Sequence, residues 1–181
     1  MLIFLVGMPC SGKSNLIKHI NDLNQDLITL DLDNIIEHTS KSSITALFQI
    51  GASHFRDIES QCLKNVVEAY TNHPNKVIVA CGGGTPCYNN NMEVLLKNGL
   101  VVWLDAPEKT ITKCIIDTKS QRPLLNTQTM SHEQIAANVN SLLADRIAFF
   151  QQAHIHLPIV EQIDSIFAQQ FINHINNYKH E

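Results

Sequence analysis

The sequence predicts an α/β sandwich, a parallel sheet covered by helices on both faces. Two observations carry that expectation. Short runs that are apolar throughout, at 2–6, 77–80 and 100–104, have the length of strands and the composition of strands buried on both sides. Longer segments with apolar residues at helical spacing lie between them, and such alternation builds right-handed crossovers over a parallel sheet.

The elements follow in order. The opening run LIFLV leads directly into Gly7-Met8-Pro9-Cys10-Ser11-Gly12-Lys13-Ser14. Beyond it, Leu16, Ile20 and Leu23 share one face of a helix over 15–23. A weaker apolar run at 27–30 precedes Asp31 and reads as another strand. Residues 34–54 are polar and fit neither period, so they read as a surface loop or as a flap over a site. Phe55, Ile58, Cys62 and Val66 mark a helix over 55–66. The strand at 77–80 runs into Gly82-Gly83-Gly84, and the strand at 100–104 ends beside Asp105. Residues 117–130, DTKSQRPLLNTQTM, hold a proline and little periodicity, and the same two readings stand for them. The last long helix, 131–150, opens with Ser131 and Gln134 at the spacing of a capping box.

Composition narrows the function. A chain of 181 residues fits one domain, and 44% hydrophobic against 17% charged residues predicts a packed core. A net charge of −4 without any Lys/Arg run argues against a nucleic-acid partner. Cys10, Cys62, Cys81, Cys87 and Cys114 are odd in number and lack CxxC spacing, which predicts a reducing, cytoplasmic setting with neither disulfides nor a zinc site. The apolar start is six residues long without a basic flank, so no signal peptide is expected. No stretch nears the roughly 18 apolar residues of a membrane span.

Strand, then G-x-x-x-x-G-K-S, then helix is the strongest local signal. The glycines let successive backbone N–H groups curl toward a phosphate, and the helix N-terminus adds positive potential. Lys13 reaches the β/γ-phosphates, and the Ser14 hydroxyl can ligate Mg2+. A glycine-rich turn that only joins two elements is the plainer alternative. Asp31 and Asp33 follow the next strand and would emerge at the carboxyl edge of the sheet, where ligands bind. Alternation would point them oppositely, one to hold Mg2+ through water and one to take a proton or hydrogen bond from a substrate hydroxyl. A solvated helix cap would explain the same pair.

Three arginines complete the set. Arg56 and Glu59 sit three apart on a helix and can pair, although a surface pair is the simpler account without context. Arg146 shares a helix face with Ile135, Val139, Leu142 and Phe149/Phe150, so it needs an anion or acceptors inside. Asp105 or Glu59 could serve it, and so could an anionic ligand. Arg122, in Arg122-Pro123-Leu124-Leu125, could close over a transferring phosphate or lie on the surface. The three glycines at 82–84 permit backbone to approach a ligand closely, or form a flexible turn.

In this order and at this spacing, the phosphate loop, LDLDNIIE, FRDIE, the strand ending in GGG, VVWLDAPEKT, RPLL and the Arg146 helix resemble the shikimate kinase family over nearly the whole chain. The resemblance implies a nucleoside-monophosphate-kinase-like P-loop fold, a three-layer sandwich around a five-stranded parallel sheet. It implies a core of 1–33, 63–112 and 129–181, a substrate-binding subdomain near 34–62 and a lid near 113–128. It also implies ATP-dependent phosphorylation of shikimate to shikimate 3-phosphate by a cytoplasmic monomer, with Mg2+.

By position, the resemblance implies that Gly7, Cys10, Ser11, Gly12, Lys13, Ser14, Asn15 and Arg122 serve ATP. Asp33, Arg56, Gly83, Gly84 and Arg146 would serve shikimate, with Arg56 and Arg146 gripping its carboxylate. Lys13, Asp33 and Arg122 would be catalytic, and Ser14 would ligate the metal with Asp31 through water. Departures from the family pattern gather on the nucleotide side: Cys10 for Gly, Asn15 for Thr, and Ile115 where many members have an adenine-stacking Arg. Cys81 also stands before the glycines in place of Thr or Ser, and no Pro-x-Tyr follows Arg146. A gluconate-type kinase and a catalytically weak nucleotide-binding homologue are the alternatives.

Overall fold

The computed structural model describes residues 1–23, 26–118, 130–160 and 162–178. Five parallel strands, β1 (Leu2–Val6), β2 (Ile28–Asp31), β3 (Val77–Ala80), β4 (Gly99–Asp105) and β5 (Ile155–Pro158), form one sheet in the order β2-β3-β1-β4-β5. Every residue of β1 and β3, and all of β4 except Asp105, is buried. A strand buried at consecutive positions has cover on both faces, so its pattern is continuous rather than alternating. The edge strands differ. β2 is half-buried throughout, and β5 alternates between half-buried and exposed positions. That explains the weak apolar signal at 27–30. It also explains why Ile155-His156-Leu157-Pro158 gives no run at all, since proline is tolerated at a sheet edge.

Eight helices accompany the strands among the described residues: α1 (Lys13–Asp22), α2 (Leu32–Ser40), α3 (Ile44–Ile50), α4 (Ala52–Tyr70), α5 (Asn91–Asn98), α6 (Glu108–Asp117), α7 (His132–Phe150) and α8 (Ser165–Asn177). The layers flank the sheet on both sides, as the sequence predicts. Ser131 caps α7 in a full capping box: its Oγ accepts from Gln134 N at 3.2 Å, and Gln134 Oε1 accepts from Ser131 N at 2.8 Å. Such a cap stabilises a helix by about 1 kcal/mol.

Residues 34–54 depart from the reading as loop or flap, because they are largely helical. Asp31 caps α2 through Asp33 N, and Ser43 caps α3 through Ala46 N. Only Leu32 and Ile36 are buried on α2, and only Leu47 on α3. So few buried positions leave little periodicity to detect, and the caps rather than the apolar pattern mark these helices. α4 runs unbroken across residue 62, where the resemblance implied a subdomain boundary. Most of 117–130 lies outside the described residues.

The register brings the functional loops to one edge. Asp31 is level with Ala80, and Ala80 is level with Leu5, while Val6 is level with Trp103. The loop after β1, the residues after β2 and the glycines after β3 therefore leave the same carboxyl edge, side by side.

Candidate active site

The phosphate loop takes the conformation its glycines allow. Gly12 has φ 96°, a backbone conformation that strains any L side chain, and a Cβ there would also force the end of the Ile163 side chain to move. Cys10 also lies in the left-handed region at φ 63°, where an L side chain costs about 1–2 kcal/mol. Lys13 is buried, and its Nζ donates to Gly7 O at 2.9 Å, Met8 O at 2.8 Å and Ser11 Oγ at 3.1 Å. Its charge is thus held inside the curl of the loop. Asn15 turns to the β5 side, where Nδ2 donates to Ile163 O at 2.9 Å. Ile115 is buried, 2% exposed, and belongs to the core.

Asp31 serves two partners at once. Its Oδ1 accepts from Asp33 N at 3.0 Å, which starts α2, and its Oδ2 accepts from Ser14 Oγ at 2.8 Å. Asp33 does point elsewhere, but strand alternation is not the reason, because the helix begins between the two residues. A Cβ placed on Gly82 would lie 3.1 Å from Asp33 Oδ1, 3.0 Å from Glu59 Oε1 and 3.0 Å from Thr85 Oγ1. These three oxygens, from three elements, therefore converge at the end of β3.

Arg56 and Arg146 meet over the next two residues. Arg56 Nη1 pairs with Glu59 Oε2 at 2.6 Å, and the pair is buried rather than on the surface, at 6% and 1% exposed. Thr85 Oγ1 donates to the other carboxylate oxygen, Glu59 Oε1, at 2.7 Å. A Cβ on Gly84 would lie 2.6 Å from Arg56 Nη2, so only glycine lets the guanidinium come so near the backbone. Arg146 Nη1 donates to Gly83 O at 3.2 Å. Neither carboxylate considered for it from the sequence serves it: Glu59 holds Arg56, and Asp105 Oδ2 pairs with His156 Nε2 at 2.7 Å. Among the described residues no carboxylate forms an ion pair with Arg146, although it is only 7% exposed.

Burial is the main influence on the titrating groups here. It pulls Arg146 down from its ordinary value, and the nearby Arg56 charge acts in the same direction. A guanidinium nevertheless stays cationic at neutral pH. Burial also pushes the Cys87 thiol up, while Arg146 and Arg56 pull against it. Cys81, buried beneath the glycines, is raised by burial and then by Glu59, with Lys13 opposing. Cys81 therefore lies between the charges of the two halves, and both thiols are held as neutral groups.

The geometry brings together Asp33, Arg56, Gly83, Gly84 and Arg146 on one side, and Gly7, Cys10, Ser11, Gly12, Lys13 and Ser14 on the other. Pro9 joins them, since a Cβ on Gly83 would lie 2.5 Å from its Cδ. Arg122 lies outside the described residues. Sequence reasoning missed Thr85, whose link to Glu59 spans 26 residues, and the aromatic rings around Arg56. Thr85 carries no local signal, whereas Phe55 stood beside Arg56 in plain view.

Known proteins resemble this chain in sequence and in fold. The sequence profile described as shikimate kinase matches residues 9–176. A shikimate kinase of Azobacteroides pseudotrichonymphae is 33% identical over 84% of this chain and 86% of that protein. One from Clostridium botulinum (strain Langeland) is 36% identical, covering 84% of each. Among solved structures, shikimate kinase from Bacteroides thetaiotaomicron superposes with a TM-score of 0.82 at 27% identity, covering 97% of this chain and 96% of that one. Shikimate kinase from Acinetobacter baumannii in complex with shikimate gives 0.82 at 27% identity, covering 98% and 95%.

Proposed function

The chain belongs to the shikimate kinase family and transfers a phosphate from ATP to shikimate; we propose that it does so with the division of labour its carboxyl edge supports. The observation that carries the reading is the meeting of Arg56 and Arg146 over Gly83-Gly84, one arginine oriented by Glu59 and the other without a carboxylate ion-pair partner among the described residues. A buried guanidinium calls for an anion. The shikimate carboxylate supplies it, and charge-assisted contacts of this kind contribute about 1.5–3 kcal/mol each.

With the carboxylate held there, Asp33 reaches the ring hydroxyls from the end of β3. Its carboxylate orients the 3-hydroxyl and accepts its proton as the oxygen attacks the γ-phosphate. Lys13 exchanges two neutral carbonyls and a hydroxyl for β/γ-phosphate oxygens, and the loop N–H groups cradle the rest. In-line transfer sets the donor opposite the acceptor, so the nucleoside runs toward β4 and β5. Arg122, from the lid proposed near 113–128, closes over the phosphates; the acceptor subdomain near 34–62 contributes Arg56, and Asp33 stands at the end of the core segment that leads into it.

Ser14 Oγ and Asp31 Oδ2, already in contact, are an all-oxygen donor pair suited to Mg2+, which takes few protein ligands and completes its shell with water and phosphate. Bound there, the ion would neutralise charge developing on the phosphates. Five free thiols among the described residues support a reducing cytoplasm, where we read the chain as acting as a monomer.

Coupled ADP release across a panel of acceptors tests the reading. Shikimate is turned over with ATP and Mg2+, whereas gluconate and nucleoside monophosphates are poor acceptors. Equal turnover across the panel, or none with shikimate, overturns it.

A further inference from the structure

Arg56 sits in a box of aromatic rings. Its Cζ lies 5.0 Å from the centroid of Phe55, 5.6 Å from Phe48 and 4.1 Å from Tyr88. Phe55 is core, and Phe48 packs on it with centroids 4.2 Å apart. Tyr88 is different. It gives the nearest ring, yet it is 44% exposed and lies in the short segment between Thr85–Cys87, a 3-10 turn, and α5.

That segment is held in an unusual way. Asn89 and Asn90 both take the left-handed conformation, at φ 51° and 58°. Asn89 Nδ2 reaches across to α4 and donates to Arg56 O at 3.1 Å, Asp57 Oδ1 at 3.2 Å and Ser60 Oγ at 3.1 Å. Asn91, wholly buried, donates from Nδ2 to Thr85 O at 2.9 Å, and Thr85 in turn holds Glu59. Two consecutive left-handed residues persist only where surrounding contacts enforce them. Here the contacts fasten the segment to the helix that carries Arg56, on both sides of Tyr88.

We propose that Tyr88 is a positioning residue for the acceptor: its ring lies against the Arg56 guanidinium, fixes its plane and closes the solvent side of the two-arginine cradle. The ring acts through Arg56. Glu59 fixes one end of the guanidinium and Gly84 admits the other, but neither stops the fork from tilting; a stacked ring does. A fork held in one plane suits a planar carboxylate. The ring also shields the cradle from counter-ions, so acceptor binding should resist salt more than an open surface pair does.

This inference rests on the reading of Arg56 and Arg146 as the carboxylate grip, and the test separates the two. Steady-state kinetics with Tyr88→Leu should raise KM for shikimate about fivefold to thirtyfold, with kcat and KM for ATP little changed. The increase should be steeper at high ionic strength than in the wild type. Tyr88→Phe, which keeps the ring, should recover most of the affinity. Because Tyr88 is 44% exposed and lies outside the core, both variants should fold, and thermal melting checks that they do. An unchanged shikimate KM in Tyr88→Leu, an equal rise in KM for ATP, or a Tyr88→Phe as impaired as Tyr88→Leu overturns the proposal. Arg146→Ala serves as the control. If it leaves shikimate KM unchanged, the carboxylate grip itself fails; if it weakens shikimate while Tyr88→Leu does not, only the role of Tyr88 falls.

Discussion

The phosphate loop and the acceptor cradle hold charge in opposite ways. The loop is local: eight consecutive residues curl so that backbone and one lysine do the work, and the Lys13 ammonium rests on oxygens of the loop itself. The cradle is assembled from distant pieces. Arg56 and Glu59 come from α4, Gly83, Gly84 and Thr85 follow β3, and Arg146 comes from α7. A loop built from backbone tolerates odd side chains such as Cys10, because the groups facing the phosphate do not depend on them. A cradle built from buried side chains tolerates little, since removing one partner leaves another charge uncompensated.

The largest effect expected from that contrast is on catalysis. Lys13→Ala should lower kcat about 10²- to 10³-fold, the loss typical for a donor to developing charge. Shikimate binding, measured by calorimetry without nucleotide, should barely change. A matching loss of shikimate affinity would show that the two halves are not separable.

The next effect distinguishes the two arginines. Arg146→Ala should weaken shikimate about 10- to 150-fold, the equivalent of 1.5–3 kcal/mol, and spare ATP. Arg56→Ala should weaken shikimate similarly and also destabilise the fold by about 3–5 kcal/mol, because Glu59 is left buried and unpaired. Denaturant titration beside binding measures both quantities. Equal stability losses would mean that Arg146 too has a structural partner, and a fall in ATP affinity would assign it to the nucleotide side or the core.

The smallest effect concerns Cys10. Cys10→Gly removes the strain of φ 63° but enlarges the freedom of the unfolded chain, so a net gain of about 0.5–1 kcal/mol is expected. Chemical denaturation reads it. A loss of stability instead would show that the Cys10 side chain contributes packing that outweighs its strain, and that the loop depends on this side chain as well as on its backbone.

Much of the frame was readable because its signals are local. β1 and β3 stand at 2–6 and 77–80 as their apolar runs predict, and the Ser131–Gln134 spacing marks the start of α7. β5 escaped, since this edge strand only alternates between half-buried and exposed residues, and α2 and α3 escaped because they bury so few. Arg146 was legible as a cation on an apolar face, but its neighbour was not.

By itself, then, the sequence determined the central strands of the sheet, the phosphate loop and the residue types gathered for an anionic, hydroxylated acceptor. Those depend on periodicity and on motifs within eight residues. The i,i+3 spacing already allowed the Arg56–Glu59 pair; only the tertiary structure decided that it is buried, that Thr85 completes the carboxylate, that Arg146 meets Gly83, and that Asp31 joins Ser14 while Asp33 faces Gly82. The reason is that a buried charge takes its partner from whatever the fold packs beside it, and that choice spans too many residues for spacing to reveal.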